Sequence, residues 1–591
     1  MSKTQVHSFH IPVMGIGYTI DTPLKVSQYG ISSVISLVDD ILIEKMRELY
    51  CRKLEIPFKA ISNKTNDFRA KRITAYLNLI DKIATENFEQ LKNSLAEKGS
   101  EIEKYMNLLP DFSILKRRLR QMITNARNSE EIKHWISNNL SIGSIDVNIM
   151  TKLNRENYRN NKKLPLEFND AHAALRGFAN STLKSAIILS AGMNPRLYSY
   201  FEQFEDFYPD EFGQLRKKII LKVSDFRSAL IQGKFLAKKG LWVSEYRIES
   251  GLNCGGHAFA TDGFLMGPIL EDFKRNRDHL IKTTYEALVE ALKRKSINAP
   301  KESLPVQFSA QGGVGTAEEH DFLLEHYQLD SIGWGTPFLL VPEVTNVDRQ
   351  TQKLLEKATE EDLVLSNTSP LGVFFNTVKG NTKDLEKTDR IRQGRPGSPC
   401  PKKFASNNRE FTEKEICLAS RQYQNLKIKA LDNLQLSPGE YKKNFDKITE
   451  KSCICVGLGT SALLANDLDT KVEGEGVSVC PGPNMAYFSE VVSLKKMTDH
   501  IYGRANILKR DDRPHMFMKE LGMYINYFRK MVEEANKPMD ARTVKRIQHF
   551  RDNLNNGIRY YRYLFMNTYI KNHPVAALKS YEKELNNIEI D

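Results

Sequence analysis

SEYRIESGLNCGGHAFATDGFLMG, residues 244–267, is an extended segment that runs into a glycine-rich turn and ends it on one imidazole, His257. Gly251, Gly255 and Gly256 allow positive φ or close approach of the backbone to a flat ligand. A histidine offered at the end of a strand is suited to proton transfer, because its unperturbed pKa lies near neutrality. A lone Gly-Gly-His also occurs where a loop or core histidine simply satisfies its hydrogen bonds, so the flanking segments decide the reading.

Those segments alternate. HIPVMGIG (10–17) reads as a short buried strand closing on two glycines; LKVSQYG is helical and ISSVISLV apolar and extended. SAIILSAGMNP (185–195), KKIILKVS (217–224), LPVQFSAQGGVG (304–315) and LDSIGWGTPFLL (329–340) repeat the apolar strand, with helices LYSYFEQFEDF, FRSALIQGKFLAKKG, 271–295 and TAEEHDFLLEHY between them. Strands separated by helices predict parallel pairing with the helices outside. Each strand ends in small or polar residues, where a parallel barrel carries its active site. SAQGGVG and GWGTPF, one helix apart, expose bare backbone amides at strand ends, a phosphate-binding arrangement found after the last two strands of many barrels.

The rest of the chain reads as additions. From about Asp39 to Leu164 the pattern is of long charged helices such as DFRAKRITAYLNLIDKIATENFEQLKNSLAEKG. The expected division is barrel over 1–56, helical insertion over 57–164, the remainder of the barrel with its site over 165–380, and a mostly helical domain over 381–591. Residues 380–411, rich in Asn, Lys, Arg, Pro and Gly, read as a linker or an ordered lid. MFMKELGMYINYFRKMVEEAN and TVKRIQHFRDNLNNGIRYYRYLF carry an apolar face, the mark of packed helices.

With 591 residues the chain exceeds one ordinary core, and 41% hydrophobic with 27% charged residues excludes wholesale disorder. Neither a leader nor an apolar run of bilayer length is evident, so a cytoplasmic place is the expectation. The net charge of +13 suits an anionic cofactor, coenzyme A, an acidic carrier protein or nucleic acid, and equally a plain solvated surface. Five of the seven cysteines, Cys400, Cys417, Cys453, Cys455 and Cys480, fall between 400 and 480. They could supply an iron–sulfur or zinc site. No CxxC pair occurs, however, and SCICVGLGTSA also reads as a strand entering a glycine turn with buried, reduced cysteines.

The four segments IPVMGIGYTIDTPLKVSQYG, IILSAGMNPRLY, IILKVSDFRSALIQGKFLAKKGLWVSEYRIESGLNCGGHAF and LPVQFSAQGGVG through GWGTPFLL resemble, in order, those of a family of FMN-binding barrels. The family comprises the nitronate monooxygenases (2-nitropropane dioxygenases) and the flavin-dependent enoyl-acyl carrier protein reductases. The resemblance covers about 230 residues in two pieces. It implies an α/β FMN-binding TIM (β/α)8 barrel, with Gly312, Gly313, Gly335 and Thr336 at the cofactor phosphate and Met14, Gly15, Ser190 and Lys222 near the isoalloxazine. His257, beside Gly256, matches the family's active-site histidine. Asn253 and Cys254 replace the family's small or acidic residue, and Trp334 stands in the last phosphate loop, so substrate preference is not inherited.

Lys222 at a strand end is suited to stabilise an anionic reduced flavin. His257 is suited to take a proton from carbon beside an electron-withdrawing group, or to give one to an enoyl substrate. The expected activity is therefore an FMN-dependent oxidation or reduction at carbon, nitronate-monooxygenase-like in the first reading. An enoyl-thioester reductase using a carrier protein or CoA is the alternative, and an unidentified electron donor is a further partner. A reading of another class is a barrel scaffold without catalysis whose basic helices bind nucleic acid.

Overall fold

The structure, a computed structural model, describes residues 6–94, 100–125, 129–190, 192–210, 212–535, 538–568 and 574–590. Eight parallel strands close a barrel in chain order: Phe9–Ile11, Ser32–Ser36, Ile145–Met150, Ala186–Ser190, Lys218–Val223, Val243–Glu249, Gln307–Gln311 and Ser331–Gly333. The first strand pairs with the eighth, Phe9 opposite Ile332, and with the second, His10 opposite Ser32. Alternate residues of such strands point into the lumen. Here part of the lumen is polar. Buried Arg247 is paired with Glu245 at 2.8 Å, and nearby Asp146 has its carboxyl pushed up by burial against the opposing pull of Arg247.

The third strand corrects the expected insertion, since Ile145–Met150 lies within the stretch read as helical. Its character as a strand buried on both faces is hidden because Asp146 and Asn148 are buried between the apolar Ile145, Val147 and Ile149. The insertion is thus the set of helices between the second and third strands, Asp40–Lys53, Phe68–Asn93, Glu101–Leu108, Ile114–Asn125 and Ser129–Asn139. Residues 95–99, the end of the helix expected from 67, lie outside the described residues, as does residue 191 of the fourth strand segment. Phe68–Asn93 packs on Asp40–Lys53 and Asp170–Ala179. Its start is fixed by Arg69 and Arg72, whose guanidinium groups reach Asp40 at 2.5 and 2.8 Å.

Above the strand C-termini lies a second, antiparallel sheet of Leu363–Ser366, Phe374–Val378 and Gly256–Ala258, with His257 opposite Phe375. His257 therefore sits on a capping strand rather than at the tip of a barrel strand. The segment 380–411 starts as the helix Thr382–Arg392 and continues as an ordered cover. That cover is pinned by Lys402, which is 1% exposed and pairs with Asp39 at 2.6 Å and Glu473 at 3.0 Å.

The C-terminal region is mainly helical, as its apolar faces predicted: Arg421–Asp432, Pro438–Thr449, Ile454–Ala465, Leu494–Ile501, Met516–Glu533, Ala541–Asn567 and Val575–Asn586. SCICVGLGTSA is not a strand but enters the helix Ile454–Ala465, ten of whose twelve residues are buried. An all-round apolar helix has no amphipathic period to betray it. Its glycines serve close packing, because a Cβ on Gly457 would stand 2.8 Å from the Ser478 backbone nitrogen. Leu458 O accepts from Gly17 N at 2.8 Å, so this helix holds the loop after the first strand. Among the described residues no single helix is long and apolar enough to cross a membrane; the bent pair Pro438–Thr449 and Ile454–Ala465 reaches that apolarity only together.

Candidate active site

A cavity of about 220 Å³ lies at the C-terminal end of the barrel strands. It is lined by Met14 and Gly15 after the first strand, Ser190 at the end of the fourth, Lys222 on the fifth, and Cys254, Gly256 and His257 after the sixth. Gly312 and Gly313 follow the seventh strand, and Gly335 and Thr336 the eighth. Ten residues picked from separate segments of the sequence as cofactor or catalytic candidates thus share one enclosure, and Cys254 joins them.

The glycine loops are held from outside the barrel. Gly313 has φ 82°, and a Cβ there would meet Asn253 Nδ2 at 2.1 Å, so Asn253 fills the space beneath the loop. Arg513, from the C-terminal region, donates to Gly313 O at 2.7 Å, to Asn484 Oδ1 at 2.9 Å and to both oxygens of Glu319 at 2.8 Å. Glu319 in turn accepts from Gly315 N at 2.9 Å. Burial pushes the Glu319 carboxyl up, and Arg513, His515 and the Gly315 amide together more than reverse this, leaving it below its usual range. Thr336 Oγ1 accepts from Gly482 N at 2.9 Å. Trp334, the departure in the last loop, is 1% exposed and donates to His320 Nδ1 at 3.1 Å. It belongs to the packing behind the loop.

Lys222 is not a free cation. Its Nζ lies 2.8 Å from Glu249 Oε2, and Gln311 donates to Glu249 Oε1 at 3.0 Å, so one carboxylate ties the ends of the fifth, sixth and seventh strands. Glu249 went unnoticed in the sequence, where its only signal is a carboxylate two residues before Gly251. Behind the wall, Asn148 Oδ1 and Asn253 Oδ1 are buried without a hydrogen-bond partner among the described residues, while the Gln311 side chain also meets buried His10.

His257 Nε2 is 2.8 Å from Ser369 Oγ, and its ring meets Phe375 edge-on at 5.0 Å. Burial, with the nearby Lys152 charge, lowers its pKa to about 4, so the imidazole is neutral at neutral pH. Leu153, Phe259, Leu371 and Phe375 make this end of the cavity apolar. At the mouth, exposed Lys152 lies 5.0 Å over the Phe259 ring. The Cys254 thiol is raised well above its usual range by burial and by Glu249, which leaves it protonated and unreactive.

The five candidate metal-binding cysteines are free thiols, and among the described residues no three His, Cys, Asp or Glu side chains stand as one metal ion requires, which corrects the metal reading. The five divide. Cys400, Cys417, Cys453 and Cys455 meet behind the cavity, and Cys455 also reaches its wall. Cys480 lies on the wall beside Gly15, apart from the other four, its thiol raised to about 12 by burial. The C-terminal region adds Ile454, Leu458 and Asn484 to the lining, none of which a motif announces.

No family model matches the sequence, and no curated protein matches it. Among solved structures, the enoyl reductase domain of MlnA from the macrolactin biosynthesis cluster of Bacillus amyloliquefaciens is similar at 13% identity, over 66% of this chain and 84% of that one, with a TM-score of 0.33. A mutant of FabK from Thermotoga maritima is similar at 10% identity, over 68% and 84% of the two chains, with a TM-score of 0.29. Likeness at this level carries no argument; the barrel assignment rests on the strand order and pairing described above.

Proposed function

We propose that the chain is an FMN-dependent oxidoreductase acting at carbon next to an electron-withdrawing group. The observation that carries this reading is the convergence of two glycine loops, Lys222 and His257 on one cavity at the C-terminal face of a closed parallel barrel. FMN fits the residues present. The loops at Gly312–Gly313 and Gly335–Thr336 would hold its phosphate, and Lys222 would face the ring edge that gains negative charge. When bound, the flavin supplies hydride or electron transfer.

The protein's own part is positional and protic. Phe375, Phe259, Leu153 and Leu371 exclude water beside His257, and Ser369 orients its ring. The neutral imidazole would pass a proton between the reacting carbon and the mouth of the site, with one ring nitrogen carrying it at a time. The substrate class favoured is an enoyl thioester, because an apolar wall suits an acyl chain and Lys152 at the mouth suits the phosphate of a carrier or CoA arm. A nitronate is the second reading. It is favoured by the neutrality of His257, since a nitronate has already lost its acidic proton and needs no charged acid.

The test is cofactor analysis followed by turnover. Purified protein should retain or take up one FMN per chain, and His257→Ala should keep the flavin while losing turnover at least a hundredfold. Oxidation of the reduced enzyme by enoyl thioesters, without reduction of the oxidised enzyme by nitronates, selects the first substrate class. A colourless protein that takes up no FMN and binds RNA with steep salt dependence would replace the oxidoreductase reading with the nucleic-acid one.

A further inference from the structure

One buried carboxylate joins the C-terminal region to the segment that carries His257, and the function proposed above makes no use of it. Glu520, on the helix Met516–Glu533, is 1% exposed. Its Oε1 accepts from Ser250 Oγ at 2.5 Å, and its Oε2 accepts from Met266 N at 2.9 Å and Tyr561 Oη at 3.2 Å. Among the described residues no cation pairs with it.

These partners stand at the two ends of the segment that bears the glycine turn. Ser250 follows the sixth strand, and its Oγ accepts in turn from Asn253 N at 3.0 Å; Asn253 is the residue that fills the space beneath Gly313. Met266 opens the 29-residue helix Met266–Arg294, whose N-cap, Leu265, makes no side-chain bond to it. The first amides of that helix are satisfied instead from the C-terminal region, Met266 N by Glu520 and Gly267 N by Tyr561 Oη at 3.2 Å. A carboxylate suits the place, because unpaired amides and the helix dipole give a helix start partial positive charge. The adjoining turns of Met516–Glu533 join the grip. Met516 O accepts from Asn253 Nδ2 at 3.2 Å, and a Cβ on Gly251 would stand 2.3 Å from Tyr524 Oη. Residues 516, 520 and 524 follow at intervals of four along one helix face, with Glu520 at its centre.

Burial raises the Glu520 carboxyl to about 7, against three donors that favour its charged form. The titratable groups that face it are Tyr524 on its own helix, Tyr561 of Ala541–Asn567 and Cys254 of the turn, all raised by burial and neutral at that pH. Glu319, at the start of the same helix, is paired with Arg513. A proton on either oxygen of Glu520 turns an acceptor into a donor and leaves one of the three bonds unmade. We propose that Glu520 is the positioning residue through which the C-terminal region holds the His257 turn, and that the hold is complete only while its carboxylate is ionised. The effect on turnover rests on the oxidoreductase reading; the hold itself does not.

Hydrogen exchange of the full chain, corrected for the pH dependence of the chemical rate, is followed from about pH 6 to 8.5 in peptides spanning 244–267. Protection should rise at least fivefold with pH, with a midpoint at about 7. Glu520→Gln, which has the same shape but does not ionise, should stay at the low-pH level throughout. In the FMN-loaded enzyme, kcat/KM for an enoyl thioester should follow the same midpoint, and Glu520→Gln should abolish it. Tyr561→Phe keeps the carboxylate and removes one donor to its charged form, so the midpoint should move up by about half a pH unit or more. A contact of packing alone would lower protection equally at every pH and move no midpoint, so Tyr561→Phe decides even where Glu520→Gln fails to fold. Protection that is flat with pH in the unaltered chain overturns the proposal. So does a pH dependence that persists in folded Glu520→Gln, or a midpoint that Tyr561→Phe leaves in place. Exchange needs no flavin: a chain that binds no FMN removes the oxidoreductase reading and leaves the hold standing, whereas a flat profile in an active flavoenzyme does the reverse.

Discussion

A methyl group on Gly313 would stand 2.1 Å from Asn253 Nδ2, at a φ of 82° that already disfavours a side chain. Gly313→Ala should therefore displace the loop and lower FMN affinity at least tenfold, read by titrating apoprotein with FMN. Riboflavin, which lacks the phosphate, should bind both forms alike. At Lys222, Glu249→Gln removes the carboxylate 2.8 Å away and leaves the ammonium less neutralised. The expected outcome is a higher reduction potential of the bound flavin, measured against a reference dye, since the extra positive charge favours the anionic reduced ring. The individual side chains were partly legible in the sequence. Lys222, His257 and the glycines stand in short motifs, whereas Glu249, Asn148 and Gln311 acquire their places only when barrel strands far apart in sequence become neighbours.

Arg513 acts at the level of elements, tying a C-terminal loop to the helix that follows the seventh strand. Arg513→Ala would leave Glu319, 4% exposed, as a buried carboxylate without its partner, a loss on the order of 3–5 kcal/mol. Differential scanning calorimetry should show it as a lowered Tm, and FMN affinity should fall with it because Gly313 O loses its donor. Arg513→Lys, which keeps charge but not the fork, should lie between the two. Gly457→Ala should cost about 1–3 kcal/mol by pushing the helix Ile454–Ala465 off Ser478, checked by urea unfolding. The legibility of elements followed their patterning. Strands rich in Ile, Val and Leu announced themselves, but Ile145–Met150 hides two buried polar residues in its alternation, and Ile454–Ala465 is apolar on every side.

Over the whole molecule, histidine burial sets the response to acid. His7, His172 and His257 have pKa values lowered to about 4, and His320 to about 3, in each case chiefly by desolvation. A lowered histidine pKa means that the unfolded chain binds more protons between pH 6.5 and about 4. Stability is then fully present above pH 6.5 and is lost as pH falls through that window. Glu520, raised by burial to about 7, opposes this by one proton, because its folded form keeps a proton that the unfolded chain releases. The urea midpoint should drop between pH 6.5 and 4.5, and replacing His320 with Gln should flatten that slope. The barrel was legible as a whole because its repeating strand and helix units are local. The cover over its mouth was not, since it is assembled from contacts between the two ends of the chain.

The bond from Gly17 N to Leu458 O gives that assembly a place in time. A ribosome adding about 5–20 residues per second takes about 20–90 s to travel between the two positions. Throughout that interval the nascent barrel lacks the helix that steadies its first loop. Arg513 and its hold on the Gly312–Gly313 turn emerge later still. Cofactor loading therefore belongs to the released or nearly released chain, and a ribosome stalled midway would carry a barrel whose binding face is still open.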